Sequence, residues 1–323
     1  MKVLVTGGAG YVGSHCCKAF ARAGWEVVVY DNLSRGWREF VRWGPLIEAD
    51  ILDPDALGAA MRTHQPDAVA HFAALAYVGE SVASPERYYR TNAQGALNVL
   101  TAMRDAGVGQ FVFSSTCATY GEPTQVPIDE THKQAPINPY GWSKLIVEKM
   151  LADFDRAHGL RSVALRYFNA AGADPEGEIG ERHEPETHLI PLVLRAALDP
   201  DVPVTVFGDD FDTRDGTAIR DYIHVLDLAE AHCLALERLT KGGASDVYNL
   251  GSETGASVLE IVAAAELATG RSIPRRIGPR RAGDPPMLVA SAEKAKQALG
   301  WRPRHSGIEE IMRTAWAWHS REK

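Results

Sequence analysis

Basic residues are in deficit: 34 Lys and Arg stand against 42 Asp and Glu, a formal charge of −8. Duplex binding draws mostly on phosphate neutralisation by Lys and Arg, so no nucleic acid is expected as the main partner. A small anionic ligand needs only a local cluster of Arg. Cysteine is scarce, and Cys16, Cys17, Cys117 and Cys233 form no CxxC pair. Adjacent Cys16-Cys17 is a poor disulfide framework, and a reducing, cytoplasmic setting is expected. Nothing approaches the roughly 18 consecutive apolar residues of a spanning helix, so no membrane is expected. The run Val3-Leu4-Val5 is too short for a signal peptide. There is no internal repeat and no low-complexity segment.

What is present suits a folded enzyme-sized chain. Its 323 residues, 45% hydrophobic and 24% charged, can bury a sizeable core and suggest two domains on a prior of roughly 150 residues each. Short β-rich runs alternate with helical patterns. Strands are predicted at Val3–Val5, Glu26–Tyr30, Asp67–His71, Phe111–Phe113 and Ser162–Leu165. Helices are predicted at Tyr11–Ala23, Asp53–His64, Ser84–Ala106 and Pro139–His158. This alternation with continuous apolar strands predicts an α/β fold, a doubly wound parallel sheet covered on both faces. After Asn169 the texture changes, with a Gly-, Pro- and acid-rich loop from Gly172 to Pro185. A smaller mixed α/β domain is expected over 169–323, beside a main domain over 1–168. The 223–250 stretch reads as an αβ unit that returns to the main sheet.

The sharpest local signals are two. Gly7-Gly8-Ala9-Gly10-Tyr11-Val12-Gly13 follows the first strand and opens the first helix. Such glycines let the backbone approach a pyrophosphate at the positive helix end. Asp31 ends the second strand, 18 residues beyond Gly13. A carboxylate there bonds ribose hydroxyls and repels a 2′-phosphate, which favours NAD over NADP; Arg35 reads as a solvated loop charge. The second signal is Asn138-Pro139-Tyr140-Gly141-Trp142-Ser143-Lys144. Asn138 is a natural N-cap and Pro139 a natural first helical residue. Tyr140 then sits one turn before Lys144 on the same helix face. The ammonium and the helix end are expected to lower the tyrosine pKa and make it an acid–base group for a sugar or alcohol hydroxyl. Tyr-x-x-x-Lys alone occurs by chance on many helices; its position downstream of the glycine turn is what singles it out. Thr116 closes Ser114-Ser115-Thr116 at the end of a strand, where doubly wound sheets place ligands.

Together these residues resemble the extended short-chain dehydrogenase/reductase family and, within it, its UDP-sugar 4-epimerases. His71-Phe72-Ala73-Ala74-Leu75, Arg166-Tyr167-Phe168-Asn169, Arg220-Asp221-Tyr222 and Arg280-Arg281-Ala282-Gly283-Asp284 extend the likeness over nearly the whole chain. The resemblance implies a Rossmann-type sheet, bound NAD and reversible inversion at C4 of a UDP-hexose through a 4-keto intermediate. The UDP-glucose and UDP-galactose pair is the one most implied. Thr116, Tyr140 and Lys144 match the catalytic set. Gly7, Gly10, Tyr11, Val12, Gly13, Asp31, Asn32, Asp50, Ile51, Phe72, Ala73, Ala74, Thr91, Asn92, Ser114, Tyr140, Lys144 and Phe168 match cofactor positions. Thr116, Asn169, His188, Leu189, Phe207, Arg220, Arg281, Asp284 and Leu288 match substrate positions. A homodimer is implied through the helices Ser84–Ala106 and Pro139–His158.

The chain departs from the family pattern at three places. Ala76 stands where bacterial epimerases carry a Lys, His188 where an Asn precedes Leu189, and Leu288 where Tyr or Cys borders the sugar pocket. A 4,6-dehydratase would need an Asp-Glu pair where Cys117 and Ala118 stand. Epimerases of N-acetylated sugars, pentoses or uronates remain open, as does a non-catalytic NAD-binding regulatory module. His183-Glu184-Pro185-Glu186-Thr187-His188 does not read as a metal motif. Pro185 breaks the helix that an HExxH site needs, and the spacing is wrong.

Overall fold

The computed structural model describes residues 1–281 and 284–321. Its strands are β1 (Lys2–Thr6), β2 (Glu26–Asp31), β3 (Leu46–Glu48), β4 (Ala68–His71), β5 (Gln110–Ser114), β6 (Arg161–Arg166), β7 (Asn169–Ala171), β8 (Val204–Phe207), β9 (Ile219–Arg220), β10 (Tyr222–His224), β11 (Asp246–Asn249), β12 (Ala256–Ser257), β13 (Arg275–Gly278) and β14 (Met287–Leu288). Seven of them form one parallel sheet in the order β3-β2-β1-β4-β5-β6-β11. The order reverses between β1 and β4. In such sheets a crevice opens there, outside the carboxyl ends of the strands.

The helices are α1 (Tyr11–Arg22), α2 (Pro54–His64), α3 (Val78–Ala83), α4 (Pro85–Tyr88), α5 (Gly95–Ala106), α6 (Pro139–His158), α7 (Leu189–Leu198), α8 (Val225–Thr240), α9 (Val258–Thr269), α10 (Glu293–Leu299) and α11 (Ile308–His319). Strand side chains alternate between faces. Val3, Val5, Val27 and Val29 pack under α1 and α8 with Phe20, Leu228 and Leu236. Leu4 and Val28 face the other layer, against Leu57 of α2, Val99 and Met103 of α5, and Val147 of α6. The helix α8 and strand β11 thus come from beyond residue 222 but complete the main sheet. A further core joins α7, α9 and α11 through Val193, Leu194, Ile261, Ile311 and Met312.

Caps fix the helices that matter. Asp53 accepts the amides of Asp55 and Ala56, and Asn138 accepts that of Gly141 at 2.8 Å. Each such cap is worth about 1 kcal/mol. The predicted helix Ser84–Ala106 is not one regular helix: α4 passes into α5 through a widened turn at Tyr89–Gln94 with i→i+5 bonding. Widened turns of this kind frequently mark functional sites. Here the turn carries Asn92, whose side chain reaches outside the helix. The helix α3 is only six residues long, too short to show a helical period, whereas α11 carries a clear one, with Ile308, Ile311, Met312 and Ala315 on one face.

Candidate active site

The turn after β1 is built from backbone. Gly7 has φ of +76°, and a Cβ on it would lie 2.4 Å from the Ala73 amide nitrogen. A Cβ on Gly13 would lie 2.2 Å from the Gly7 carbonyl oxygen. Gly10, by contrast, would meet only that same oxygen, at 3.3 Å. Its outer face is open, and a side chain there would fill the concavity. No side chain caps α1 at Gly10, so the amides of its first turn, from Tyr11, Val12 and Gly13, are placed for an anion. The Asp31 carboxylate is buried at the rim, accepting from the Ala9 amide at 3.0 Å and the Leu33 amide at 2.8 Å. Burial pushes its pKa up, and those two amides oppose the shift. Two backbone donors leave it lone pairs for further hydroxyls. Asn32 bonds Asp50 at 2.9 Å, and the buried Ile51 packs on Gly95. An open glycine cradle, an uncapped helix start and an acceptor at the rim together fit a dinucleotide.

The other wall comes from the ends of β4 and β5. Phe72 and Ala73 both donate to the Thr6 carbonyl, at 2.8 and 3.0 Å. Asn92, buried in the widened turn beside Thr91, accepts from the Leu75 amide at 2.8 Å. It donates to the Leu75 carbonyl at 3.0 Å and to Ser143 Oγ at 2.9 Å. The side chain thus pins the loop carrying Ala73 and Ala74 to α6. Ser114 Oγ lies 2.6 Å from the Tyr167 hydroxyl. Thr116 is buried at the end of β5, where its hydroxyl accepts from the Ala118 amide at 3.1 Å and lies near enough to Tyr140 to favour its ionised form.

The electrostatics of Tyr140 and Lys144 differ from the expectation. Lys144 Nζ donates to the Ser114 carbonyl at 2.8 Å and lies 4.9 Å from the centre of the Phe113 ring. Burial lowers its pKa to about 7, with Glu148 opposing. Burial raises the Tyr140 pKa to about 12, and the neighbouring Thr116 hydroxyl only partly offsets this. Desolvation favours the neutral form of both groups and outweighs the attraction that sequence spacing alone suggests.

Among the second-half residues, Leu288 reaches the end of β5 directly. Asn169 donates through its backbone and side-chain amides to the Asp221 carbonyl, at 3.3 and 2.8 Å. Leu288 pairs in register with Arg220, and Leu288 and Phe168 pack on Cys117 and Tyr120. Arg281 stacks on Phe207 at 4.1 Å. Arg220 forms an ion pair with Asp284, so two residues expected to hold different parts of a ligand hold each other here. Ala282 and Gly283 lie outside the described residues.

Residues 3–251 match the NAD dependent epimerase/dehydratase family. The chain belongs to this family. It is 56% identical over 319 residues to a UDP-glucose 4-epimerase of Rhizobium leguminosarum bv. trifolii, covering 99% of this chain and 97% of that one. It is 54% identical to the UDP-glucose 4-epimerase of Rhizobium meliloti over the same shares. A solved UDP-glucose 4-epimerase from Brucella ovis, in complex with NAD, superposes with a TM-score of 0.96 at 52% identity. That match covers 98% of this chain and 97% of that one. The Rossmann-type sheet and the NAD cofactor are those of an NAD dependent epimerase.

Several groups around this epimerase site escape sequence reading. The catalytic-face helix α6 carries Glu148 one turn after Lys144. Glu148 is buried and accepts from Ser115 Oγ at 2.6 Å and Arg166 Nε at 2.9 Å. Arg166 also donates to the Tyr120 hydroxyl at 2.7 Å. Asp221, buried, accepts from the amides of Ser252 at 2.8 Å and Ala290 at 3.0 Å. Burial raises its pKa to about 6. The stretch from Glu181 to His188, which ends as α7 begins at Leu189, gathers Glu181, His183, Glu186 and His188 into one cluster. Burial works against the His188 imidazolium, but the two carboxylates outweigh it and hold its pKa up to about 10. Only the spacing of four titratable residues within eight positions could have flagged this.

Proposed function

We propose that this chain is a UDP-hexose 4-epimerase acting on UDP-glucose and UDP-galactose. The observation that carries the reading is the placing of Thr116 and of Lys144, bonded to the Ser114 carbonyl, at the end of β5, with Tyr140 one turn before Lys144 on α6. The relatives named above are themselves UDP-glucose 4-epimerases at 54–56% identity over 99% of this chain, which supports the same substrate pair.

In this reading Tyr140 is the acid–base group. As phenolate it removes the proton from the sugar 4-OH, and it returns that proton once the sugar has presented its other face. When bound, NAD supplies a reversible acceptor for the C4 hydride and a positive charge that favours the tyrosinate. Thr116 orients the Tyr140 hydroxyl and the reacting oxygen. Lys144 holds a ribose of the cofactor. Gly7, Gly10 and Gly13 with the first amides of α1 hold the pyrophosphate, and Asp31 the adenosine ribose. Arg220 and Arg281 take the UDP diphosphate, to which guanidinium forks are suited. Asn169 and His188 add donors to it. Phe207 packs on uracil, and Asp284 accepts from the uridine ribose once Arg220 turns to phosphate. The enzyme acts as a cytoplasmic homodimer in this account. All four cysteines are free, and among the described residues no helix is long and apolar enough to cross a membrane.

The test is incubation of purified protein with a panel of UDP-sugars and no added reductant, with products resolved by chromatography. Interconversion of the glucose and galactose forms is expected. NAD binding without turnover of any UDP-sugar would instead mark a regulatory module.

A further inference from the structure

At the rim of the catalytic crevice, Glu181, His183, Glu186 and His188 each offer one ligand atom, and these atoms lie within 4.8 Å of one another. We propose that these four side chains form a divalent transition-metal site, with Zn²⁺ the best-fitting ion.

The donor set argues first. Two imidazoles and two carboxylates are ligands that zinc accepts, and the two carboxylates neutralise a divalent ion. The geometry argues second. Zn–N and Zn–O bonds of about 2.0–2.2 Å in a tetrahedron place neighbouring ligand atoms roughly 3.3–3.6 Å apart. His183 Nδ1 lies 3.3 Å from Glu181 Oε1 and 3.7 Å from Glu186 Oε2. His188 Nδ1 lies 3.1 Å from Glu181 Oε1 and 3.0 Å from Glu186 Oε1. With one oxygen taken from each carboxylate, all four ligand atoms lie within 4.8 Å of one another, so the widest gap closes by at most roughly 1.5 Å on tetrahedral ligation. His183 Nδ1 is sealed from solvent yet meets no partner with hydrogen-bond geometry. It faces the cluster, and an ion would satisfy it.

The scaffold argues third. The segment is neither helix nor strand, so it does not repeat the helical HExxH arrangement. Its backbone is nevertheless fixed by three side chains. Trp318 Nε1 donates to the Glu181 carbonyl at 3.0 Å, Trp37 Nε1 to that of Arg182 at 3.0 Å, and Arg35 to that of Glu184 at 2.7 Å. Glu186 Oε1 also accepts the amides of Thr187 and His188, at 2.7 and 2.8 Å. Outer bonds of this kind orient metal ligands. Four protein ligands make a closed shell, which is the mark of a structural rather than a hydrolytic site. The ion would clip the 181–188 segment beside Tyr11 and Tyr77, whose rings stand 6.1 and 5.9 Å from that of His183. Ligation through Nδ1 leaves His188 Nε2 as an N–H donor, so the clip and a phosphate contact are compatible.

The experiment is elemental analysis of NAD-loaded protein, stripped with EDTA and re-equilibrated with Zn²⁺, in parallel with Co²⁺ loading and visible spectroscopy. The wild type is expected to hold about one zinc per chain, to show the intense visible bands of tetrahedral Co²⁺, and to melt higher with Zn²⁺ than after EDTA. His183→Gln and Glu186→Gln, checked for folding by circular dichroism, are expected to lose all three. A wild type that retains only a small fraction of an equivalent, with no cobalt bands, would overturn the proposal and leave two imidazolium–carboxylate pairs. So would variants that bind as much zinc as the wild type, which would place the ion elsewhere, for instance at Asp174, Glu176 and Glu178.

Discussion

Lys144 and Ser114 are joined across the crevice floor: the lysine Nζ donates to the serine carbonyl at 2.8 Å. The bond anchors α6 to the end of β5. It also leaves the ammonium deep in protein, with its pKa lowered to about 7.

That burial has a signed consequence for stability. Below pH 7 the lysine is protonated in both folded and unfolded chains, and the cost of the buried charge is fully felt. Between about 7 and the ordinary 10.5 the unfolded chain binds a proton that the folded chain does not, so stability rises with pH through this window. Lys144→Met removes the charge. In urea unfolding of NAD-free protein, the variant is expected to gain on the wild type by a few kcal/mol more at pH 6 than at pH 10, from about 1.4 kcal/mol per pKa unit. An equal difference at both pH values would refute the buried-ammonium account.

Asn92 makes three buried hydrogen bonds, two to Leu75 and one to Ser143. Asn92→Leu leaves the Leu75 amide without its partner, at a cost of about 1–3 kcal/mol. Thermal unfolding should register the loss, and turnover should fall with it because α6 and the Ala73–Leu75 loop lose their common anchor. Stability within about 0.5 kcal/mol of the wild type, as for an ordinary surface change, would show that the bonds do not hold the loop.

Leu288 shares a register position with Arg220 and packs near Cys117, the neighbour of Thr116. This placement suits a pocket wall. A leucine leaves an N-acetyl group space but no hydrogen bond. The unmodified hexoses are therefore expected to be preferred, with weak activity at most on N-acetylated pairs. Leu288→Ser should raise relative kcat/KM for the N-acetylated pair by about 10–200-fold, the worth of a few methylenes of pocket wall. An unchanged ratio of the two specificities would remove Leu288 from the wall.

Val82, Tyr89 and Trp142 are 64%, 39% and 45% exposed, on or beside the helices expected to pair between protomers. Two such helices per subunit would make a four-helix contact. Light scattering should give twice the 35.2 kDa chain mass at micromolar concentration, and Trp142→Glu should shift the protein toward monomer. A wild type that runs only as the 35.2 kDa species would count against the dimer.

Signals carried by neighbouring residues were legible in the sequence. The glycine turn, the Asp53 cap and the Asn138-Pro139 start of α6 depend on a few adjacent positions, and local chemistry fixes them. Burial is not local, and it reversed the expected electrostatics of Tyr140 and Lys144. Nor could spacing reveal that Arg220 pairs with Asp284, 64 positions away. Nor does spacing reveal that the Asn92 amide joins Leu75 and Ser143. The Glu181–His188 cluster has no helical spacing by which the sequence could show it. An extended segment, held by Trp37 and Trp318, brings the same residues together.

The most direct measurement follows UDP-galactose conversion to UDP-glucose, without added reductant, in the wild type and in Tyr140→Phe. The account predicts steady conversion by the wild type. The variant should keep NAD and UDP-sugar binding while turnover falls about 10²–10⁴-fold, the usual contribution of an acid–base group. A variant that turns over at nearly the wild-type rate would contradict the assignment of Tyr140 and, with it, the mechanism.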